Sequence, residues 1–429
     1  MTPPQNSNHN LPPDSQVEPL PEAWIGLDWG NQQHAFALQD RSGRCERGTL
    51  EHSSENLHQW LGQIGQHYGG RPVALALEAS RGAVVHALLN YAWLTIYPIN
   101  PITSARYRQA FTPSGAKDDL PDADVLLELV RDHAVKLRPL EVQDAPTVKL
   151  AELVHARRDV VDRRTQTINQ TTSLLKTYYP QALELAGGLD RDMALDFLSR
   201  WPDVISLKAV RPATLKRFYH PHNVRSTQLV EERLQFIQKA VALTTQEARV
   251  SVAVLQLRHL VEQLRAFRKH IAIFDQEIQI AFRQHPEAGL YRDLPGAGAQ
   301  LAPRLCVAFG TLRTTYPDPA SLQKHAGVAP VREKSGNQLW THWRWQAPVF
   351  LRQTFVEWAG QTVVYCPWAG RYYARMKNKG KKHAAILRAL AFKWIRILWK
   401  CWQDRRPYDQ AAYLKQLRHR KSPNAVAAT

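Results

Sequence analysis

The residues best suited to chemistry are acids clustered within residues 115–129. Four of them, at positions 118, 119, 122 and 124, fall within seven residues and open an apolar helical pattern. Asp119 and Asp122 are three residues apart, so on a helix their carboxylates face the same way. Aligned carboxylates repel each other, and a divalent cation would stabilise them. An ordinary helix start is the alternative, because acids and proline are common in the first turn of a helix.

Two further acids lie in or at the end of short apolar segments that are typical of β-strands. Asp28 lies within residues 24–30, and Glu78 closes residues 72–78. A carboxylate is costly to bury there unless it is paired or binds a metal, although a lone acid at a strand end is commonly a surface residue. Two metal ions held by acids could polarise a phosphodiester and activate a nucleophile. The acids that could form such a site are Asp28, Glu78, Asp119 and Asp122.

The segments around these acids alternate between strands and helices. Further strands are predicted at 34–38, 44–50 and 94–99, with helices from Ser53 or Ser54 and from Gly82 to Tyr91. Three strands, a helix and a strand, with acids on the first and fourth strands and on a later helix, form the layout of the ribonuclease-H-like fold. There, neighbouring central strands bring the two acids to one sheet edge. We therefore expect an α/β domain over residues 23–145.

The charge balance predicts a polyanionic partner. Among 429 residues, 56 Lys and Arg face 38 Asp and Glu, a formal net charge of +18, which most simply indicates nucleic acid. No apolar run approaches the roughly 20 residues of a spanning helix, so we expect no membrane partner. The four cysteines are far apart without a C-x-x-C pattern, which argues against disulfides or zinc and fits a reducing cytoplasm.

Residues 146–285 are predicted to be helical. Two heptad rows run through the later part, one at Leu257, Leu264, Ile271 and Ile278 and the other at Leu260, Phe267, Phe274 and Ala281. Such rows are typical of a coiled coil, whose partner could be an earlier helix near residues 146–180 or a second protomer. A buried helix in a bundle is the alternative. Residues 1–22 are expected to form a disordered tail, and residues 181–246 show no clear pattern.

Residues 286–405 open on a pattern typical of a helix-hairpin-helix. Gly296 and Gly298 would let backbone N–H groups approach a phosphate at a helix N-terminus, although a plain tight turn is the alternative. Ser335, on a predicted loop, could be a nucleophile, but most loop serines simply cap or turn. Lys334 and Arg332 beside it could stabilise a phosphate.

Aromatic and basic residues follow this serine. Those suited either to stacking on bases or to core packing are Trp340, His342, Trp343, Arg344 and Trp345. A basic run comes next, either facing phosphates or merely solvated, and consists of Arg371, Arg375, Lys377, Lys379, Lys381 and Lys382. An amphipathic helix is predicted over 384–401, and residues 406–429 are expected to form a loose basic tail.

With these motifs in this order, the chain resembles the transposases of insertion-sequence family 110, the bridge-RNA-guided DEDD recombinases. The resemblance covers nearly the whole chain after residue 23. Its N-terminal, RuvC-like motifs are Gly26-Leu27-Asp28, Leu77-Glu78, Asn100-Pro101, Lys117-Asp118-Asp119 and Asp122-Ala123. Its C-terminal motifs are the hairpin at 294–298, residues 322–330, Ser335-Gly336, Gly380-Lys381 and Pro407-Tyr408-Asp409.

The resemblance implies a RuvC-like DEDD domain and a mainly helical C-terminal transposase domain. The four acids would bind Mg²⁺ or Mn²⁺, and Ser335 would join transiently to DNA. The implied partners are double-stranded donor and target DNA, a structured non-coding guide RNA and further copies of the chain, as a dimer or tetramer, on the nucleoid of a bacterial cytoplasm. Gly336 and the basic residues named above would contact nucleic acid.

The chain departs from the family pattern in three places. Trp29 follows the first acid where a smaller residue is usual, Asp118 replaces Thr or Asn, and a Trp-rich stretch follows Gly336. None removes a catalytic residue, so different DNA contacts near Ser335 are expected instead. A junction-resolving nuclease that uses the acids alone, or an inactive nucleic-acid-binding protein, are the alternatives. Because no obvious base adjoins Ser335, we expect the two domains to form one composite site.

Overall fold

The computed structural model describes residues 20–79, 82–111, 119–336, 338–342, 344 and 347–424. The chain divides into two compact units, Met1–Val142 and Gln143–Thr429. The predicted positions Lys117, Asp118, Trp343 and Trp345, and most of the predicted tail at 1–22, lie outside the described residues. Within the described part, Glu22 already belongs to the first unit, because its backbone N–H donates to Pro72 O at 2.8 Å.

The first unit is built on a five-stranded sheet in the order β3-β2-β1-β4-β5. Strands β1, β2 and β3 are antiparallel, whereas β1, β4 and β5 are parallel. This mixed sheet, with helices, fits the ribonuclease-H-like arrangement expected from the sequence. Its elements are β1 (Ala23–Trp29), β2 (Gln33–Asp40), β3 (Cys45–Glu51), α1 (Ser54–His67), β4 (Val73–Leu77), α2 (Ala83–Leu88), β5 (Leu94–Pro98), α3 (Pro101–Phe111), α4 (Asp119–His133) and a 3-10 turn at Ala134–Lys136.

The two faces of this sheet are covered by different helices. Ile25, Leu27 and Leu75 belong to a core with α1 and α2. On the opposite face, α4 packs over the small residues of the central strands. At Gly26 the contact is so close that a Cβ would lie 2.0 Å from the carbonyl oxygen of Ala123. Gly26 therefore fixes where α4 crosses β1.

Replacing Gly26 by alanine is expected to lower the free energy of unfolding by about 3 kcal/mol, because the obstructing atoms belong to the α4 backbone and cannot rotate away. The measurement is the urea midpoint of the purified protein. The matched control is Gly62→Ala within α1, where an added Cβ meets nothing within 4 Å. That change should stabilise by about 0.5–1 kcal/mol, since alanine favours a helix. Equal effects of the two substitutions would contradict the close packing.

The second unit is organised on two long helices, α5 and α11. Arg157 Nε lies 2.6 Å from Asp275 Oδ1, and Thr147 Oγ1 lies 2.9 Å from His285 Nε2, so the helices are antiparallel. The helix α11, which carries the heptad rows, therefore has α5 of the same chain as a partner. With 34 and 38 residues, the helices are about 50 and 57 Å long. This part consists of α5 (Ala145–Tyr178), α6 (Gln181–Leu185), α7 (Asp192–Arg200), α8 (Val204–Lys208), α9 (Pro212–Tyr219), α10 (Thr227–Lys239) and α11 (Glu247–Gln284).

Each end of the helix pair belongs to a separate core. Leu175 and Leu257 pack with the short helices α6–α10, which form the segment that showed no clear sequence pattern. Leu150 and Ile278 pack instead with the C-terminal helices. Those elements are α12 (Ala288–Tyr291), α13 (Gly298–Phe309), a 3-10 turn at Arg313–Thr315, α14 (Pro319–His325), β6 (Val331–Ser335), β7 (Gln338–His342), α15 (Val349–Tyr365), α16 (Pro367–Asn378), α17 (His383–Gln403) and α18 (Gln410–His419).

The prediction of a loose tail after Arg405 is wrong for the part that the structure describes. Asp409 Oδ1 accepts the N–H of Ala412 at 2.9 Å and caps α18. Tyr408 and Tyr413 pack against the C-terminal core, so apolar burial holds this basic segment in place. None of the helices in the described ranges is long and apolar enough to cross a membrane.

His285 makes the stability of the second unit sensitive to acid. The N–H of Glu287 donates to its Nδ1 at 3.1 Å, so Nε2 carries the proton and donates to Thr147. Burial lowers the pKa of His285 below its ordinary 6.5, against a smaller opposite effect of Asp144. The unfolded chain therefore takes up this proton first, and the stability that neutral His285 contributes above pH 6.5 is lost as the pH falls.

We expect His285→Gln to reduce the loss of stability between pH 7.5 and 5.5, because a glutamine keeps both kinds of hydrogen bond without titrating. One proton accounts for at most about 1.4 kcal/mol per pH unit. The measurement is the urea midpoint of both proteins at each pH. An acid sensitivity that is the same in the variant and the parent would show that His285 is not the group responsible.

Candidate active site and nucleic-acid interface

Asp28 and Glu78 follow equivalent positions on the two central parallel strands. Leu27 of β1 pairs with Leu77 of β4. The residue that follows each of these leucines is one of the two acids. Neighbouring strands are about 4.8 Å apart. Because side chains alternate between the faces of a sheet, both acids point to the side of Gly26, which α4 covers. The sequence prediction that these two acids meet at one sheet edge matches this register.

Helix α4 brings Asp122 to the same face, since Asp122 immediately precedes Ala123 at the close contact with Gly26. Asp122 is only 18% exposed, and its Oδ1 lies 2.5 Å from Arg108 Nη1. Asp119 begins α4, but its side chain lies outside the part of the chain that the structure describes. Helix α4 therefore contains both Asp119 and Asp122, as predicted, while the geometry around Asp119 stays a prediction.

Two residues of α3 that the sequence analysis did not identify contact these acids. The buried Ser104 hydroxyl donates to Glu78 Oε1, and Arg108, four residues later on the same helix face, binds Asp122. A signal for this helix existed, because Asn100 followed by proline is typical of a helix start. Asn100 Oδ1 accepts the N–H of Ile102 at 2.9 Å.

The chemistry of the acids suits a divalent metal, although the side chains of Glu78 and Asp122 here contact protein groups. Carboxylate oxygens are the ligands that Mg²⁺ and Mn²⁺ prefer. Over the described ranges, no three His, Cys, Asp or Glu side chains are grouped closely enough to hold a metal ion. Arg108 supplies the positive charge opposite Asp122. Binding of a cation by the acids would therefore require the Arg108 side chain to move or to share Asp122.

Ser335 is the last residue of β6, at the tip of a two-stranded hairpin. It pairs with Gln338 across a two-residue connection that begins with Gly336 at φ +57°. The predicted loop is thus a hairpin turn, and a left-handed φ is the reason for glycine. Ser335 is exposed, as are Arg332 and Lys334 on the same strand. The hydroxyl is accessible to a large substrate. Arg332 and Lys334 alternate with Ser335 along the strand, so their positive charge leaves the opposite face of the hairpin.

A candidate base on the described part of this hairpin is already engaged. Glu333 lies two residues from Ser335, and its Oε1 is 2.8 Å from His342 Nε2. Trp340, which pairs with Glu333 across the ladder, is 50% exposed and thus available for stacking. The hairpin thus presents an exposed hydroxyl, cations and an aromatic surface, and the carboxylate of Glu333 is occupied by His342.

The predicted helix-hairpin-helix glycines have different surroundings. Both have left-handed φ values, +70° at Gly296 and +54° at Gly298. A Cβ at Gly296 would lie 2.8 Å from the Cβ of Gln361, so this glycine makes room for α15. A Cβ at Gly298, the first residue of α13, would meet nothing within 4 Å. Of the two, Gly298 has the open surroundings that a phosphate contact needs.

The predicted basic residues lie mainly on α16 and on the turn that leads to α17. Those that are exposed are Arg371, Lys377, Lys379, Lys381 and Lys382. Arg375 is half-buried with its guanidinium 5.8 Å from the centroid of the Tyr372 ring, and Arg344 is also half-buried. Most of this run is therefore accessible to a polyanion, but Arg375 also has a structural contact.

Two family models match separate parts of the chain. A model described as "Transposase", for the DEDD transposases of the IS110 group, matches residues 25–180. A second, described as "Transposase IS116/IS110/IS902 family", matches residues 289–374. Together they span more than half of the 429 residues. The first match contains the four acids, and the second contains Ser335 and both helix-hairpin-helix glycines.

Relatives of known origin agree with these matches. The chain is 28% identical over 395 residues to the mini-circle protein for IS117 of Streptomyces coelicolor, covering 90% of this chain and 95% of that protein. It is 24% identical over 394 residues to the 43.6 kDa protein of insertion element IS110 from the same organism, with 90% and 95% covered. The pilin gene-inverting protein of Moraxella bovis is 24% identical over 207 residues, 44% of this chain and 60% of that protein. The chain is therefore a DNA transposase or recombinase and belongs to the IS110 family.

Proposed function

We propose that the protein excises and inserts an insertion element by strand exchange through a covalent serine–DNA intermediate, with a guide RNA selecting both DNAs. The observation that carries this proposal is that acids suited to a metal ion and an exposed serine occur in one chain. Asp28 and Glu78 lie near the ends of two adjacent parallel strands, and an exposed serine ends the first strand of a basic hairpin. A nuclease that used the acids alone would have no chemical role for Ser335.

In the proposed step, Ser335 Oγ forms an ester with the phosphorus of a DNA phosphodiester. One bridging P–O bond to deoxyribose breaks, and the departing oxygen takes up a proton. Attack by the hydroxyl of another strand end then restores Ser335 and completes a new phosphodiester. Because one phosphate ester replaces another at each step, strands are exchanged without an external energy source. Arg332 and Lys334, whose long side chains leave the opposite face of the same strand, would bind phosphate oxygens of the DNA that crosses the hairpin.

A divalent cation, Mg²⁺ or Mn²⁺, would polarise the phosphate when bound. Asp28, Glu78, Asp119 and Asp122 are the residues proposed to hold it. The carboxylate donor set and the shared face of Asp28, Glu78 and α4 support this assignment. Since Glu333 is engaged by His342, we propose that help in deprotonating Ser335 comes from this acidic site, of the same or another protomer.

The nucleic-acid partners are proposed from the net charge of the chain and from its exposed basic residues. A net charge of +18 supports binding of donor and target DNA together with a structured guide RNA. The surfaces proposed to contact them are the hairpin beside Ser335, Gly298 and the exposed lysines of residues 377–382. We further propose that the protein works as a dimer or tetramer on the bacterial nucleoid, because strand exchange joins several DNA ends at once.

The experiment that tests this function is recombination between two plasmids by the purified protein, with and without RNA transcribed from the DNA that flanks the gene. We expect joined products only when protein, RNA and Mg²⁺ are all present, and a change of the RNA's pairing segment should redirect the junction. Recombination at the same junctions without RNA would refute guidance. Cleavage without any joined product would favour the junction-resolving nuclease.

A further inference from the structure

A groove of about 590 Å³ lies beside the hairpin that carries Ser335. The hairpin contributes Arg332 and His342, and the chain at 327–330 contributes a second wall. Helices α16 and α17 supply the remaining lining, including the aromatic rings of Tyr372 and Phe392. Its size is within the range of pockets that take small organic ligands. It combines aromatic surface with positive charge. Residues 327–330 belong to a family motif and Arg332 to the proposed chemistry, whereas the face that α17 contributes has no role in either.

One face of α17 forms much of this lining. Ala385, Arg388, Ala389 and Phe392 are spaced by three, one and three residues, as expected for a single helix face. The two alanines leave room above the helix, while Phe392 adds a flat apolar surface. Gln323 Nε2 donates to Phe392 O at 2.7 Å, which fixes this part of α17 against α14. The aromatic surface is therefore held by a packed core.

The charge of the groove is positive. Arg332, Arg388 and Lys393 contribute to its lining, and no Asp or Glu is among the described residues that form it. Lys393 Nζ lies 5.2 Å from the centroid of the Tyr372 ring. Burial, followed by the nearby Arg375 and Arg396, lowers the pKa of Lys393. A bound anion would relieve this crowding of cations. The Tyr372 ring is only 7% exposed, so Phe392 is the ring on which an aromatic group could stack at the same time.

Position along β6 relates the groove to the proposed chemistry. Arg332 lines the groove, and Ser335 is three residues further on the same strand. Three residues of a β-strand extend about 10 Å, which is roughly the length of three stacked nucleotides of one DNA strand. The odd spacing places the two side chains on opposite faces of the hairpin. A DNA strand whose phosphate reaches Ser335 would therefore pass the groove within a few nucleotides by crossing the edge of the hairpin.

We propose that this groove binds one unstacked nucleotide of the DNA strand that Ser335 cuts. The inference rests on the proposed function, since it assumes that DNA reaches Ser335. The base packs against Phe392, which is only partly buried, and its phosphate contacts Arg388 and Lys393. Stacking on aromatic side chains is tolerant of sequence, so the groove holds a strand open without choosing the site. It would act where paired DNA has to separate before strands can be exchanged.

The test is fluorescence anisotropy of the full-length protein with two labelled strands of about 20 nucleotides, which exceeds a typical single-strand site. One is oligodeoxythymidine, and the other is an abasic strand with the same phosphates. We expect the parent protein to prefer oligodeoxythymidine about tenfold, the effect of one stacked base. Phe392→Leu, which keeps apolar packing but removes the ring, should abolish most of this preference.

A charge-matched pair of variants covers the case in which Phe392→Leu fails to fold. Lys393→Gln lies in the groove, whereas Lys400→Gln is on the same helix and pairs with Asp404 at 2.8 Å. Lys393→Gln should weaken oligodeoxythymidine binding several-fold more than Lys400→Gln does. Equal losses in this pair, or a parent protein without preference over the abasic strand, would overturn the inference. Plasmid recombination by the parent protein is scored separately. Failure of nucleotide binding in the groove can therefore be distinguished from failure of the proposed function.

Discussion

Replacing Ser335 by alanine is expected to abolish both strand exchange and the covalent protein–DNA adduct. The hydroxyl oxygen is the atom proposed to bond to phosphorus. Loss of a nucleophile typically lowers an enzyme's rate by about 10³-fold or more. The side chain is exposed at a strand end, so the hairpin should fold as before. The measurement is the fraction of protein that stays attached to a labelled DNA junction after denaturation, with RNA and Mg²⁺ present.

The control for Ser335→Ala is Gln338→Ala, its partner across the hairpin ladder. This change removes a polar side chain from the same exposed tip, and we expect it to keep the adduct. If Ser335→Ala instead cleaves DNA at the parent rate, and neither protein forms an adduct, the serine has no chemical role. The junction-resolving nuclease would then be the better description.

Replacing Asp119 by asparagine should stop recombination and leave folding intact. One negative charge would be lost from the acids proposed to hold a divalent cation, and polarisation of the phosphate is worth several kcal/mol. Each 1.36 kcal/mol is a factor of ten in rate, so we expect a decrease of about a hundredfold or more. The rate of plasmid recombination is measured against Mg²⁺ concentration, and higher concentrations should restore part of the activity.

Asp124→Asn is the matched control, because it makes the same change on the same helix. Asp124 Oδ1 lies 2.8 Å from Arg47 Nε in an exposed ion pair, which contributes little to stability. We expect this variant to recombine within a few-fold of the parent protein. Normal recombination by Asp119→Asn, or equal losses in both variants, would remove Asp119 from the proposed metal site.

The central sheet was predictable because its apolar segments alternate with recognisable turns. The acids at the ends of β1 and β4 could be placed together because adjacent parallel strands end at one edge. The part that Gly26 plays in seating α4 could not be predicted, since an isolated glycine gives no hint of which backbone approaches it. Ser104 and Arg108 were missed because the helix that carries them has little apolar periodicity.

The helical regions were harder to predict from the sequence, for two physical reasons. Heptad rows identify the buried seam of a helix but not its partner, and contacts such as that of Arg157 with Asp275 are needed to show the antiparallel pairing. Helices α6 and α8 have only five residues each, too few for a 3.6-residue period to be visible. The tail was misjudged because its charge obscured Tyr408 and Tyr413, which anchor it.

The pairing of α5 with α11 has a consequence for how such chains can change during evolution. The last turn of α5 and the first turns of α11 share one core, so the chain leaves and re-enters the helix pair at nearly the same place. The residues between Tyr178 and Glu247 therefore form a module at this end of the pair, which also contacts α11 through the ion pairs of Asp196 with Arg265 and of Asp192 with Arg268. We expect insertions in the module to leave the packing of Leu150 and Ile278, at the far end, unchanged. We expect related chains to acquire a new surface at this tip without a change in the C-terminal core.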